Sequence, residues 1–178
     1  MAPASKSQAA REHIVHPLAP VFDESSRVLV LGTMPSPASR AVRFYYGHPQ
    51  NRFWRVLARL FDEPVPADND ARRRLVLAHG IALWDVLASC DIAGAQDASI
   101  RNACPNDLAR VIDAAPIAHV FTTGGKAAAF YRRFDAKRWP DLPFTPLPST
   151  SAANARMSLE DLVDAYAPLA AAVRNDDR

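Results

Sequence analysis

The chain has 178 residues, 21 Lys and Arg against 19 Asp and Glu, and a formal net charge of +2. That length suits one domain, and an apolar fraction of 49% supplies a core. Bulk charge this small neither marks nor excludes a nucleic-acid partner, because a local patch is enough. No apolar run approaches the ~20 residues a membrane span requires, and residues 1–12 lack the apolar segment of a signal peptide. The two cysteines, Cys90 and Cys104, are too few for a cysteine-held iron–sulfur cluster. Their spacing to the histidines matches no zinc pattern. Both are expected to be reduced thiols of a cytoplasmic protein, nucleoid-associated if bacterial, with no metal and no cofactor. The arginine excess suits phosphate contact, but biased genomic base composition produces the same excess.

Residues 1–13 are Ala-, Ser- and Gln-rich and are expected to form a flexible arm. Residues 14–174 would form a single α/β domain, and 175–178 a flexible tail. His16-Pro17-Leu18-Ala19-Pro20 reads as an extended lead-in. Arg27–Leu31 predicts a strand buried on both faces, as in a parallel sheet. Residues 33–49 form a loop too long for filler. Apolar residues at helical spacing predict a helix over 51–61, ended by Asp62-Glu63-Pro64. A second helix over 70–79 is capped by Asp68 or Asn69 and stopped at Gly80. Ile81–Val86 reads as a strand and 87–103 as irregular. Pro105 opens a helix to Ala115. Ile117–Thr122 is a strand, Gly124-Gly125 a tight exit, and 126–134 a helix. Phe144–Leu147, interrupted by Pro146, is an edge strand. Ser158 with Asp161 resembles a capping box opening a last helix to Val173. This alternation predicts a three-layer α/β/α sandwich around a mostly parallel sheet of about four strands.

In open α/β sheets, ligands bind outside the carboxyl ends of the strands. Three loops would converge there: 32–50, 123–126 and 147–154. They carry Gly32-Thr33-Met34-Pro35-Ser36, Tyr45-Tyr46-Gly47-His48-Pro49-Gln50-Asn51-Arg52-Phe53-Trp54 and Leu147-Pro148-Ser149-Thr150-Ser151-Ala152-Ala153-Asn154. In this order the three segments resemble the motifs of the uracil-DNA glycosylase superfamily, and the second, with Ile81–Val86 downstream, most resembles its hypoxanthine-DNA glycosylase branch. The resemblance covers roughly residues 16–173.

Two departures stand out. The superfamily's first-loop catalyst, an Asn or Asp, aligns with Met34. The histidine of its third motif aligns with Leu147. The resemblance to the hypoxanthine branch implies that Asn51 takes over, its amide holding the attacking water. Cleaving a deoxyribose–base bond leaves an oxocarbenium-like sugar and an anionic base, so such a site needs a polar group below the sugar and donors beside the base. The base must also leave the stack to be reached. Tyr46 aligns with the family's stacking aromatic. Met34, Thr33, His48, Gly124 and Asn154 are the other base-binding candidates. Ser36, Ser39, Ser149 and Ser151 are candidates for DNA phosphates.

Each has a structural alternative. Asn51 could cap the helix that follows it, the tyrosines could be packing, His48 could bond a backbone group, and Ser149 and Ser151 could be turn residues. Asp85 reads as a helix cap or an active-site carboxylate, with the structural role favoured. Arg72-Arg73-Arg74 reads as a solvated face. The expected function is a monofunctional DNA glycosylase acting as a monomer in base excision repair. It would hydrolyse the N-glycosidic bond of deaminated bases, hypoxanthine first, then uracil or xanthine. The alternatives are a catalytically inactive damaged-DNA-binding protein on the same fold, or an enzyme of free nucleosides.

Overall fold

The computed structural model describes residues 10–174. In chain order its elements begin β1 (Arg11–Val15), β2 (Val28–Gly32), α1 (Pro37–Val42), α2 (Phe53–Phe61) and α3 (Asn69–Ala78). Next come β3 (Ile81–Asp85), β4 (Leu87–Ala93), a 3-10 turn at Asp97–Ser99, β5 (Arg101–Pro105) and α4 (Ala109–Ile112). The chain closes with β6 (His119–Thr123), α5 (Gly125–Phe134), β7 (Phe144–Leu147), α6 (Leu159–Ala165) and α7 (Ala167–Arg174).

The central sheet has four strands in the order β3-β2-β6-β7, all parallel. Every residue of β2 and of β3 is buried. Their sequences, Val-Leu-Val-Leu-Gly and Ile-Ala-Leu-Trp-Asp, are the unbroken runs that a strand covered on both faces requires. Each fully buried aliphatic side chain there contributes roughly 2 kcal/mol. β7 holds the edge and tolerates Pro146. With strand order β3-β2-β6-β7, the right-handed crossover rule sends α2 and α3 to one face and α4 and α5 to the other, and α3 packs on β3 while α5 packs on β6 and β7. α6 and α7 return to pack on α2, and α7 also reaches β2. The sheet is therefore flanked by helices in three layers. From β2 the chain crosses to β3, whereas from β6 it crosses the opposite way to β7. The carboxyl ends of β2 and β6 thus flank the topological switch point, where a crevice opens.

Local signals account for the helix boundaries. Asp68 caps α3 by accepting the Ala71 N–H at 2.7 Å. Ser158 and Asp161 form the reciprocal capping box of α6. The last helix is not continuous to Val173: it breaks at Tyr166, and Pro168 lies in the first turn of α7, where its missing N–H is harmless. The loop after β2 contains the short α1, capped by Ser36.

A second, antiparallel sheet, β1-β4-β5, corrects the sequence reading in two places. Arg11–His13, expected as the end of a loose arm, belong to β1 and pair with Ala93–Asp91. Residues 87–103, expected to be irregular, supply β4 and β5. The helix expected from Pro105 is shorter, with α4 covering only Ala109–Ile112. The rest of the expected arm, 1–9, and the expected tail, 175–178, lie outside the described residues. Cys90 is buried and Cys104 exposed, both as free thiols. Among the described residues no helix is long and apolar enough to cross a membrane, and no group of three or more His, Cys, Asp or Glu could hold a metal ion.

Candidate functional site

Two cavities share Tyr45 as a wall. The larger, about 730 Å³, lies away from the strand ends, between β1, the lead-in and three arginines, Arg40, Arg43 and Arg73. The smaller, about 190 Å³, sits at the switch point. Its walls come from residues 32–36, from Thr123 at the end of β6, and from Ser149 and Ser151 of the loop after β7. Tyr46, His48 and Asn51 close it from a fourth side. Position in the fold, rather than size, makes it the candidate site.

The floor is polar. Asp85, the last residue of β3, is 4% exposed. Its Oδ2 accepts a hydrogen bond of 2.7 Å from His16 Nε2. His16 Nδ1 accepts the backbone N–H of Leu18 at 3.2 Å, so the hydrogen-bond pattern assigns the ring proton to Nε2. Register places Asp85 beside Gly32. A Cβ at Gly32 would collide with Asp85 Oδ1 and would also reach the Tyr46 hydroxyl, so only glycine lets these groups converge.

Tyr46 has φ +52°, a strained backbone for a bulky residue. The strain is held by its contacts. The ring stacks on Phe53 with centroids 3.8 Å apart and planes 17° apart, and the hydroxyl hydrogen-bonds Thr123 Oγ1 at 3.0 Å. Burial and the Asp85 charge both raise the Tyr46 hydroxyl well above the usual phenol range. It stays a neutral donor near the carboxylate. Tyr45, by contrast, is buried and bonds the Ala19 carbonyl at 2.9 Å, a packing role.

Asn51 lines the cavity, but its amide oxygen is committed twice. Oδ1 accepts the Phe53 N–H that opens α2 at 2.9 Å and the Thr150 hydroxyl at 2.8 Å. The group left without a partner among the described residues is Nδ2, a donor. The next residue ties two motifs together. Arg52 donates its backbone N–H to Thr150 O at 3.0 Å, and its guanidinium to Ser151 O at 2.9 Å, Asn154 O at 2.8 Å and Met157 O. One fork of donors thus holds the loop after β7 against the start of α2.

Of the other residues anticipated from sequence, Thr33, Met34, Ser36, Ser39, His48, Ser149 and Ser151 line the cavity. Ser39 is only 3% exposed, and its hydroxyl accepts from Gly47 N at 3.0 Å and from Ser36 Oγ at 3.1 Å. It holds the loop together and cannot easily reach a phosphate. Ser149 and Ser151 accept the N–H two residues onward, each at 3.2 Å, leaving their hydroxyl protons available. His48 is exposed, with Nδ1 accepting the Gln50 N–H at 3.1 Å. Gly124 and Asn154 do not line the cavity. Gly124, at φ +93°, turns the chain from β6 into α5 close to Ser149. Asn154 donates Nδ2 to Ser149 O at 2.9 Å and braces its own loop.

Two carboxylates join the cavity residues. Asp85 reads from sequence as a helix cap or an active-site carboxylate, with the structural role favoured, and Asp97, on the 3-10 turn, stands in a stretch expected to be irregular. Both line the cavity, with Ala95 and Thr123. Burial pushes the Asp97 carboxyl up; a Thr33 hydrogen bond and Lys126 pull it down, and Asp85 adds to the rise. The available sequence signal was the position of Asp85 at the end of a buried strand. Asp97 depended on how the small sheet folds back.

The family model of the uracil DNA glycosylase superfamily matches residues 19–170. A hypoxanthine DNA glycosylase of Methanosarcina acetivorans is 32% identical over 139 residues, 78% of this chain and 87% of the relative. A hypoxanthine DNA glycosylase of Methanosarcina barkeri is 34% identical over 113 residues, 63% of this chain and 72% of the relative. A solution NMR structure of a candidate uracil DNA glycosylase from M. acetivorans superposes with a TM-score of 0.74 at 27% identity, covering 89% of this chain and 99% of that one. With the four-stranded parallel sheet and the crevice at its switch point, the match over most of its length means that this chain belongs to the uracil DNA glycosylase superfamily.

Proposed function

We propose that the protein is a monofunctional DNA glycosylase that removes hypoxanthine, with uracil and xanthine as further substrates, opening base excision repair at deaminated sites. Two relatives named for hypoxanthine support the substrate class. The observation that carries the reading is the crevice itself. It combines an aromatic ring backed by a second ring, a donor amide and a polar floor in a space of about 190 Å³. A flipped base needs a stacking surface and groups along its edge. Tyr46, stiffened by Phe53, supplies the surface. With Asn51 Oδ1 committed, Nδ2 is a donor to the electron density that builds on the base as the C1′–N bond breaks. Ser36, Ser149 and Ser151 at the mouth contact the flanking phosphates, and His48 lies at the exposed rim.

The test is a panel of duplex oligonucleotides, each with one altered base, scored for alkali-labile breaks. Breaks are expected at deoxyinosine first, appearing only after alkali, and borohydride should trap no protein–DNA adduct because water is the nucleophile. Asn51→Ala should lose excision while retaining DNA binding. Met34 and Leu147, standing where the superfamily places its catalysts, favour a second reading, an inactive damaged-DNA binder. Binding to inosine DNA with no abasic product after long incubation would select it.

A further inference from the structure

With the amide oxygen of Asn51 bound to Phe53 N–H and the Thr150 hydroxyl, and the first-motif position occupied by Met34, the attacking water lacks its acceptor in both places. The floor of the crevice holds one. Asp85 Oδ2 is taken by His16 Nε2, and both side chains are almost fully buried, His16 at 3% and Asp85 at 6% exposure. Oδ1 has no donor among the described residues. It lies against Gly32 Cα, under the mouth shared with the Tyr46 hydroxyl. A carboxylate this buried is costly unless its oxygens are satisfied. Packing alone would favour an apolar side chain at the end of β3. Instead the fold orients a carboxylate through a histidine of fixed tautomer and clears space for its second oxygen with a glycine. That is the arrangement of a poised base rather than a helix cap, and no helix begins at Asp85.

The geometry points to Asp85 as the catalytic residue that orients and deprotonates the attacking water through Oδ1, with His16 as its positioning residue. This rests on the glycosylase reading above and deepens it. As the water oxygen bonds to C1′, the C1′–N bond breaks and its electron pair leaves with the base. One water proton passes to Asp85 Oδ1 and then to solvent. The base anion, met by Asn51 Nδ2, takes a proton from solvent. The products are an abasic sugar with a C1′ hydroxyl and the free base, so no other reactant is needed. The charged and titratable groups facing Asp85 are His16 from the lead-in, Tyr45 and Tyr46 from the second motif, and Asp97 from the turn after β4.

The experiment is single-turnover release of hypoxanthine from a duplex carrying one deoxyinosine, with DNA affinity and thermal melting measured in parallel. Positioned general bases are worth about 10²–10⁴-fold. Asp85→Asn should therefore slow release at least about 100-fold at unchanged DNA affinity, and sodium formate should restore part of the rate to Asp85→Ala. His16→Gln, which keeps a donor toward Oδ2, should outperform His16→Ala. Gly32→Ala keeps the carboxylate and its partner but crowds Oδ1, so it should also be slow; it decides the matter if the Asp85 variants do not fold. An active wild type with Asp85→Asn within about threefold of it overturns this inference and leaves the glycosylase reading standing. Slow Asp85→Ala that formate does not rescue, with Gly32→Ala at wild-type rate, assigns Asp85 a structural role and overturns it as well. A wild type inert on every altered base overturns both.

Discussion

Replacing Arg52 with alanine tests whether the crevice is held together by one side chain. The guanidinium makes three short bonds to backbone carbonyls of the loop after β7, those of Ser151, Asn154 and Met157, with a longer fourth to Thr150 O at 3.5 Å. Charge-assisted bonds contribute about 1.5–3 kcal/mol each where buried. The loop is half-exposed, so water recovers part of this, and a net of about 1 kcal/mol per bond gives a loss of about 3 kcal/mol. For a chain of this length that lowers the melting temperature by roughly 6–12 °C. Arg52→Lys should recover little, because one ammonium cannot span three separated carbonyls. Urea unfolding gives the global figure. Hydrogen exchange over 149–157 detects loss confined to local fraying. Excision should fall with the loop, since Ser149 and Ser151 form one wall of the cavity. Stability within about 0.5 kcal/mol of wild type, with unchanged exchange in that loop, would refute the clamp.

Asn51→Ala should lower stability by about 1 kcal/mol through loss of its bond to the Phe53 N–H, read by urea unfolding. Asn51→Asp should restore that bond and that stability but not excision, because it exchanges the Nδ2 donor for an acceptor. Tyr46→Phe keeps the stack on Phe53 and loses only the bond to Thr123, so excision should drop less than about tenfold; Tyr46→Ala loses the stacking surface and should drop well beyond that. At the far end of α5, burial raises the Asp135 carboxyl to about 6, against Arg138 and with Asp107, and its Oδ2 is buried without a partner among the described residues. Between pH 3.8 and about 6 the folded state holds this proton and the unfolded state does not, so stability falls as pH rises through that window. Asp135→Asn should exceed wild type by up to about 3 kcal/mol at pH 7.5, and the gap should close toward pH 4; a gap independent of pH in urea unfolding would contradict this.

The central sheet was legible because its residues carry one signal only. Val28 to Leu31 and Ile81 to Trp84 are buried on both faces, so hydrophobicity alone marks them. Helix ends were legible where a side chain satisfies the backbone locally, as at Asp68 and Ser158. The small sheet was not. β4 alternates buried and half-buried positions, and register shifts at Leu87/Ser89 and Ser89/Asp91 break even that alternation. β5, Arg-Asn-Ala-Cys-Pro, has no buried residue, and β1 is almost wholly exposed. Such strands exist through pairing with one another: β1 pairs with β4 far away in sequence, which leaves no trace in either segment, and in the nearby β4–β5 pair the irregular register hides the alternation.

The same division runs through the site. Residues that line the cavity from a contiguous motif, Thr33, Ser36, Tyr46 and Asn51, were legible because each motif is a single loop. What those side chains do was less visible, since hydrogen-bond commitments come from elsewhere. Thr150 claims the Asn51 oxygen, and Asn154 proves to be a brace. Asp85 was hidden for a related reason. A lone carboxylate after an apolar strand is ambiguous until its partner is known, and the partner, His16, precedes the first central strand in a segment that reads only as an extended lead-in. Folding brings the two within 2.7 Å and aims the remaining oxygen at a glycine in the neighbouring strand. On the proposed mechanism the catalytic chemistry is therefore a property of strand order. Were β3 not hydrogen-bonded beside β2, Asp85 would face neither Gly32 nor Tyr46, and the crevice would have a wall for the base without an acceptor for water.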